Sequence, residues 1–446
     1  MAQKIVIVGG VGGGATVAAQ IRRNDKQSEI IMFEKGEYIS FANCGMPYYI
    51  GGTIEERDNL LYPPEKFSSK YDVEVRRNSQ VLSIDRHQKQ IQYRTDSAVM
   101  DESYDKLILS PGATPVVPDM TGKNEACVFT LRAINHMDQI EQFIRENQPK
   151  TAAVIGAGFI GMEMAANLQL RGLDCTIVDR SDQVMKAVDK DMAAEIQEHL
   201  QDKGVKVILN DKLTGYSEGG KTIHLGSGNT LQADMTIMSV GVRPNTWLAE
   251  EAGLDLGSTG GIAVNDFMQT SDPDIYAIGD AAETKDFLTK KPRHIPLAWP
   301  AHRQAYFTAS HLMGRDVPNP GQIGTAILKL FDLTIGSTGH NSYTLNEMGY
   351  AFKEAVLETR SHAPYYPGAE KLWLKILFDP KKGIIYGAQT VGYEGADKRL
   401  AVLATAMKGG LSVTDLPDLE LAYAPPYSSS KDPVNAIGYK ASEMLE

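Results

Sequence analysis

The chain has 446 residues, with Lys+Arg 45 against Asp+Glu 56 and a formal net charge of −11. That length calls for two or three domains, and an acidic balance with no long basic run excludes a nucleic-acid or membrane-surface binder. Three cysteines in so long a chain exclude a disulfide framework and fit a reducing cytoplasm.

The chain starts MAQKIVIVGG, an apolar run too short for a signal peptide that leads straight into glycines. No apolar run is long enough to span a bilayer. Lys4–Val8 alternates β-branched residues and reads as a buried parallel strand. Gly9, Gly10, Gly12, Gly13 and Gly14 follow, then a helix with inward alanines, then a strand from Ile30 to Phe33 that ends at Glu34. This is the order of parts of a dinucleotide-binding βαβ unit. Its glycines let the backbone approach a pyrophosphate, and Glu34 would take a ribose hydroxyl. The register is imperfect: Gly9 and Gly14 fit the fingerprint, but Val11 stands where the second glycine belongs. Thr16, Gln20 and Arg23 share one face of the helix by their spacing. They are a solvated polar face unless that face lines a cleft, in which case Arg22 or Arg23 could meet a ligand phosphate.

Ser40–Gly52 reads SFANCGMPYYIGG and holds Cys44, with no second cysteine at redox-pair spacing. If Cys44 does chemistry it works as a single thiol; a buried, inert cysteine is the ordinary alternative. Short strands are expected at Val73–Val75, Val81–Ile84 and Tyr104–Ser110, the last closing on a Pro111-Gly112-Ala113 turn. Ala126–Pro149 is helical in pattern and bridges two domains.

A second βαβ unit begins at Ala152. It carries a full GxGxxG in Gly156, Gly158 and Gly161, a helix with Glu163, and a strand ending at Asp179. Asp179 suits the free ribose of NADH, whereas Arg180 suits the 2′-phosphate of NADPH, so the two residues point in opposite directions. Two dinucleotide folds in one chain imply a flavin and a nicotinamide, between which hydride moves. TSDPDIYAIGDAA then brings Gly279 and Asp280, read either as a helix cap or as a contact to the flavin ribityl chain. His302 lies in PLAWPAHRQA, where a packed or capping histidine is the usual case. From Gly321 to Glu446 strands and a helix form a compact α+β domain with no nucleotide signal. Tyrosines gather there in HAPYYPG (Tyr365, Tyr366) and in ELAYAPPYSSSKDP (Tyr423, Tyr427), the latter with Lys431. No metal site is expected.

With these residues in place, the whole chain resembles the pyridine nucleotide-disulfide oxidoreductases of the single-cysteine type. SFANCGMPYYIGG is similar to the SFxNCxLPYxIG signature of the branch that reduces coenzyme A disulfide, with Met46 in place of leucine. The resemblance implies an α/β fold of two Rossmann-like dinucleotide-binding domains, for FAD and NAD(P)H, plus a C-terminal α+β dimerisation domain. The expected boundaries are 1–112 with 257–320 for FAD, 113–256 for NAD(P)H, and 321–446 for dimerisation. It implies a cytoplasmic homodimer in which Cys44 is the redox nucleophile. Tyr365 and Tyr423 would reach in from the other subunit as proton donors and orienting groups, Tyr423 also near the cofactor. Thr16, Gln20, Arg23, Ser40, Asn43, His302 and Lys431 would contact coenzyme A. The implied activity is reduction of coenzyme A disulfide by NAD(P)H through a Cys44–coenzyme A mixed disulfide. The Cys44 thiol is expected below the free value of about 8.5, favoured by the helix after it and by the flavin ring. A coenzyme A persulfide or polysulfide reductase is the alternative. The absence of a rhodanese-like segment after Lys440 counts against it, and the lack of a histidine in GGVGGGAT counts against a peroxide-reducing relative. A flavoprotein redox sensor is the non-enzymatic reading.

Overall fold

The structure, a computed structural model, describes residues 2–446. Lys4–Val8 is buried along nearly its whole length and takes a parallel strand on each side, Glu29–Phe33 and Lys106–Leu109. Burial on both faces is why it reads as an unbroken β-branched run. Glu74–Arg76 extends the sheet on one side, and Ile275–Ala277 returns from far down the chain to close the other. The helix Gly12–Asn24 covers this sheet with Ala15, Val17, Ala18 and Ile21.

The second unit repeats the design. Thr151–Ile155 is central between Asp174–Val178 and Met235–Met238, with Lys206–Ile208 and Val128–Phe129 outside them, all parallel. The helix Phe159–Leu170 follows its first strand. The third sheet is antiparallel: Ala326–Leu330, Leu333–Gly339, Ile385–Gly392, Lys371–Phe378 and Lys353–Arg360, in that spatial order. Helices Ala396–Gly409 and Pro433–Ser442 pack on it through Leu403, Ala406, Val434 and Ile437. Two parallel doubly wound units and one antiparallel α+β unit are therefore what the sequence led one to expect.

One apolar core fixes the cysteine segment against the second unit. Met46 and Ile50 are buried beside Met162, Met164 and Leu168, and Leu328 and Leu330 of the third sheet complete that core. Each such side chain contributes about 1.5–3 kcal/mol on burial, so the turn bearing Cys44 is anchored by Met46 and Ile50, which follow it in the chain.

Candidate active site

The two glycine turns superpose in their logic, residue for residue. Gly9 takes φ +101° and Gly156 takes φ +105°, a region open to glycine and strained for other residues. A Cβ on Gly14 would lie 1.8 Å from the carbonyl oxygen of Gly9, and one on Gly161 would lie 1.9 Å from that of Gly156. These contacts let each helix press its first turn against the strand end, leaving the cradle that a pyrophosphate needs. Val11 resolves the imperfect register. It caps its helix at φ −101°, as Gly158 does at φ −86°, and a Cβ at Gly158 would meet nothing within 4 Å. This position has room for a side chain, so valine is tolerated. The acids at the strand ends match as well. Glu34 accepts the Gly10 amide at 2.8 Å on one oxygen and the Gly36 amide at 2.8 Å on the other. Asp179 accepts from Ala157 at 2.7 Å and Ser181 at 2.8 Å, while Arg180 beside it is exposed. On observed backbone geometry, both cradles fit a dinucleotide.

Cys44 sits exposed in a short turn, Asn43–Gly45, and its thiol lies 3.8 Å from Asn43 Oδ1. Ser40, at φ +49°, donates its amide to the Gly10 carbonyl at 2.9 Å. That strained residue ties the cysteine segment to the first glycine turn. Although the residue is exposed by surface area, the protein packed around its thiol pushes the thiol up, Glu163 adds to the rise, Arg132 opposes it, and Asp280 adds a little more. The chain's own groups therefore do not supply the lowering that was expected of the helix. The helix after Cys44, Met46–Ile50, has only five residues, and two carboxylates outweigh one guanidinium.

Several of the expected ligand residues come together. Thr16 and His302 lie 286 residues apart in sequence, yet Thr16 Oγ1 and His302 Nδ1 are 2.7 Å apart. The helices Gly12–Asn24 and Ala298–Leu312 that carry them pack side by side. Gln20 and Arg23 continue along the first of these helices, Gln20 half-buried and Arg23 exposed. Arg22 is different: it is 6% exposed and donates to the carbonyls of Tyr71, Asp25, Ser28 and Asp72. It is a structural clamp, with four of its five N–H donors spent on backbone carbonyls. Tyr365 and Tyr423 touch hydroxyl to hydroxyl at 2.9 Å on an exposed surface of the third unit. Lys431 lies over the Tyr439 ring at 4.6 Å. Among the described residues, neither tyrosine hydrogen-bonds Cys44 of its own chain.

Gly279 takes φ +73° and gives its amide to the buried Gln304 at 2.6 Å. Asp280 pairs with Arg132 at 2.8 Å, and Arg132 also donates to the Ala113 carbonyl at 3.1 Å. Glu163 accepts from Tyr48 Oη at 3.0 Å. Arg132, Gln304 and Tyr48 escape the sequence reading. The signal for Tyr48 is its place as the tyrosine of the SFxNCxLPYxIG pattern, four residues beyond Cys44.

The Pyridine nucleotide-disulphide oxidoreductase family matches residues 3–305, and its dimerisation domain matches residues 325–433. The Coenzyme A disulfide reductase of Staphylococcus aureus (strain JH9) is 42% identical over 442 residues, 98% of this chain and 99% of that protein. The crystal structure of reduced Bacillus anthracis CoADR-RHD superposes with a TM-score of 0.98 at 48% identity, covering 100% of this chain and 81% of that one. A NAD-dependent persulfide reductase from A. fulgidus gives 0.96 at 34% identity, covering 99% and 83%. A water-forming NADH oxidase from Lactobacillus brevis bound to NADH gives 0.94 at 28%, covering 99% and 98%.

Proposed function

The chain belongs to the pyridine nucleotide-disulphide oxidoreductases, and we propose that within them it reduces coenzyme A disulfide to two thiols with NAD(P)H, using FAD and the single thiol of Cys44. The observation that carries this is an exposed lone cysteine held on a turn between two dinucleotide cradles, with Cys127 and Cys175 buried. A single cysteine suffices because the substrate brings the second sulfur. Cradle residues Gly9, Gly10, Gly14, Glu34, Gly279 and Asp280 hold the flavin in this reading. Gly156, Gly158, Gly161, Glu163, Asp179 and Arg180 hold the nicotinamide nucleotide. Residues 1–112 with 257–320, 113–256 and 321–446 act as the three domains.

The bound nicotinamide and flavin supply the two electrons that open a Cys44–coenzyme A disulfide. The Cys44 thiolate then attacks one sulfur of coenzyme A disulfide. The substrate S–S bond breaks, a mixed disulfide forms at Cys44, and the departing sulfur takes a proton from a tyrosine hydroxyl. The Tyr365–Tyr423 pair suits that donor because the two hydroxyls are hydrogen-bonded at 2.9 Å, so one can re-protonate the other, and Tyr423 would also help to hold the flavin. Both are exposed on the unit that carries the dimerisation match. They act from the partner subunit of a homodimer, and Lys431 contacts coenzyme A. Thr16, Gln20, Arg23, Ser40, Asn43 and His302 line the way to the thiol. His302 is held by Thr16, so its ring orientation is set before substrate arrives. No helix of the described residues is long and apolar enough to cross a membrane.

Cys44→Ser tests the reading. The variant keeps bound flavin and loses NAD(P)H-linked release of thiol from coenzyme A disulfide. Full activity in the variant overturns it. The likeness to the A. fulgidus persulfide reductase supports a second reading, persulfide reduction, which for this chain would take a coenzyme A persulfide or polysulfide, and turnover ratios on the competing substrates separate the two.

A further inference from the structure

Asp189 is the N-cap residue of the helix Lys190–Asp202, yet its side chain accepts no hydrogen bond from that helix. A capping aspartate ordinarily satisfies the first amides of its own helix. Here both carboxylate oxygens are taken by the third unit. Oδ1 accepts from the Ser342 amide at 2.8 Å and from Ser342 Oγ at 2.7 Å. Oδ2 accepts from Gln389 Nε2 at 2.9 Å and lies 3.1 Å from Lys375 Nζ. Gln389 Oε1 in turn accepts the Asp189 amide at 2.8 Å. Asp189, Lys375 and Gln389 are 5%, 3% and 1% exposed. Lys375 also meets Asp191 at 3.0 Å and Glu354 at 2.6 Å. Burial alone would lower its ammonium; Glu354, Asp189 and Asp191 outweigh burial and raise it, so the cation persists. A buried ion pair adds little net stability, because desolvation offsets the attraction, and its best-attested use is to fix register.

What is fixed here leads to the second cradle. Residues 180–188 join Asp179 to Asp189. Asp179 accepts the Ala157 amide at 2.7 Å, and the Met185 amide donates back to the Ala157 carbonyl at 2.9 Å. Ala157 stands between Gly156 and Gly158. Met185 holds φ +47°, a conformation that a non-glycine residue keeps only where its surroundings impose it. The Val188 amide donates to the Met185 carbonyl at 2.9 Å, and Asn341 of the third unit donates to the Lys186 carbonyl at 2.8 Å. A continuous run of contacts therefore joins Lys375 to the glycine turn and to the acid at its strand end. We propose that Lys375 is a positioning residue for the nicotinamide nucleotide: with Gln389 it holds Asp189, and through residues 180–188 the unit that carries the dimerisation match sets the shape of the second cradle.

The far end of the same helix supplies the control. Asp332 of the third unit lies 2.9 Å from Lys203 Nζ and 3.1 Å from His199 Nε2, a joint between the same two units at the end away from Asp189. Holoenzyme is mixed anaerobically with rising NADH or NADPH, and bleaching of the flavin is followed by stopped flow. The half-saturating concentration reports the nucleotide site, and the limiting rate reports the step at the flavin. Lys375→Met raises the half-saturating concentration at least about fivefold, the low end of coupling between linked sites. The limiting rate is unchanged, because the loop ends at the ribose acid and not at the reacting ring. Asp332→Ala moves neither quantity. An unmoved half-saturating concentration in Lys375→Met, or an equal rise in Asp332→Ala, overturns the proposal. If Lys375→Met, which leaves three carboxylates without their cation, does not fold, Gln389→Leu takes its place, with the same rise expected and an unmoved value overturning the proposal. The assignment rests on the second cradle holding the nicotinamide nucleotide. A wild-type flavin that neither nucleotide bleaches removes that reading and the assignment with it, whereas saturable wild-type bleaching that Lys375→Met does not shift removes the assignment alone.

Discussion

Replacing Arg399 with leucine tests how the C-terminal segment bearing Tyr423 and Lys431 is held. Arg399 is 1% exposed, the largest of the fully buried side chains. Its Nη2 lies 2.8 Å from Asp432 Oδ2 and 3.2 Å from Ser428 Oγ, and it also donates to the Tyr427 carbonyl at 3.3 Å. These bonds fasten residues 427–432, the stretch that follows Tyr423 and contains Lys431, to the helix Ala396–Gly409. Arg399→Leu keeps much of the apolar stem but leaves the buried Asp432 carboxylate unpaired, which costs about 3–5 kcal/mol. Burial by itself pushes the Asp432 carboxyl up. Arg399, the Val434 amide and Ser428 outweigh burial and hold it below the usual carboxylate range. A depressed carboxyl stabilises the fold above its unfolded value of about 3.9, and that contribution is lost as pH falls through the folded value. The gap between wild type and variant is therefore full at neutral pH and narrows on acidification. Urea denaturation of the holoenzyme at several pH values measures it. Arg399→Leu combined with Asp432→Asn recovers part of the loss, since no charge then remains buried. A single-variant cost below about 1 kcal/mol, the level of an exposed ion pair, refutes the reasoning, as does a double variant no more stable than the single one.

Two further outcomes follow from the cradles. Gly161→Ala drives a methyl to 1.9 Å from the Gly156 carbonyl oxygen; nicotinamide nucleotide binding weakens at least about tenfold, ~1.4 kcal/mol, while flavin absorbance per chain is unchanged. Parallel loss of flavin would show that the second cradle is not an independent site. Asp179→Ala removes the acid beside the exposed Arg180, so the ratio of NADPH-driven to NADH-driven initial rates rises; a falling ratio contradicts the assignment of Asp179 to a free ribose.

The two βαβ units were legible because local backbone demands write themselves into sequence. Gly9 and Gly156 need positive φ, Gly14 and Gly161 need an absent Cβ, and Glu34 and Asp179 must accept amides of their own turns. Contacts across long sequence separations left no such trace. Tyr48 and Glu163 are 115 residues apart and Arg132 and Asp280 are 148 apart, so nothing near either member announces the other. Arg22 shows the opposite failure. A helix-face arginine near a glycine turn has the look of a phosphate ligand, and only the fold reveals that four carbonyls already hold it. The protein's own charges on the thiol were not legible for a similar reason: Glu163 and Asp280 come from distant elements, while the nearby helix is a single short turn.

The most direct measurement is the mass of the Cys44 peptide from holoenzyme treated with coenzyme A disulfide, before and after NAD(P)H. The account predicts one coenzyme A in disulfide linkage on Cys44, released as thiol when the nicotinamide is added. Sustained turnover with Cys44 unmodified throughout, or an adduct on Cys127 or Cys175 in its place, would contradict it.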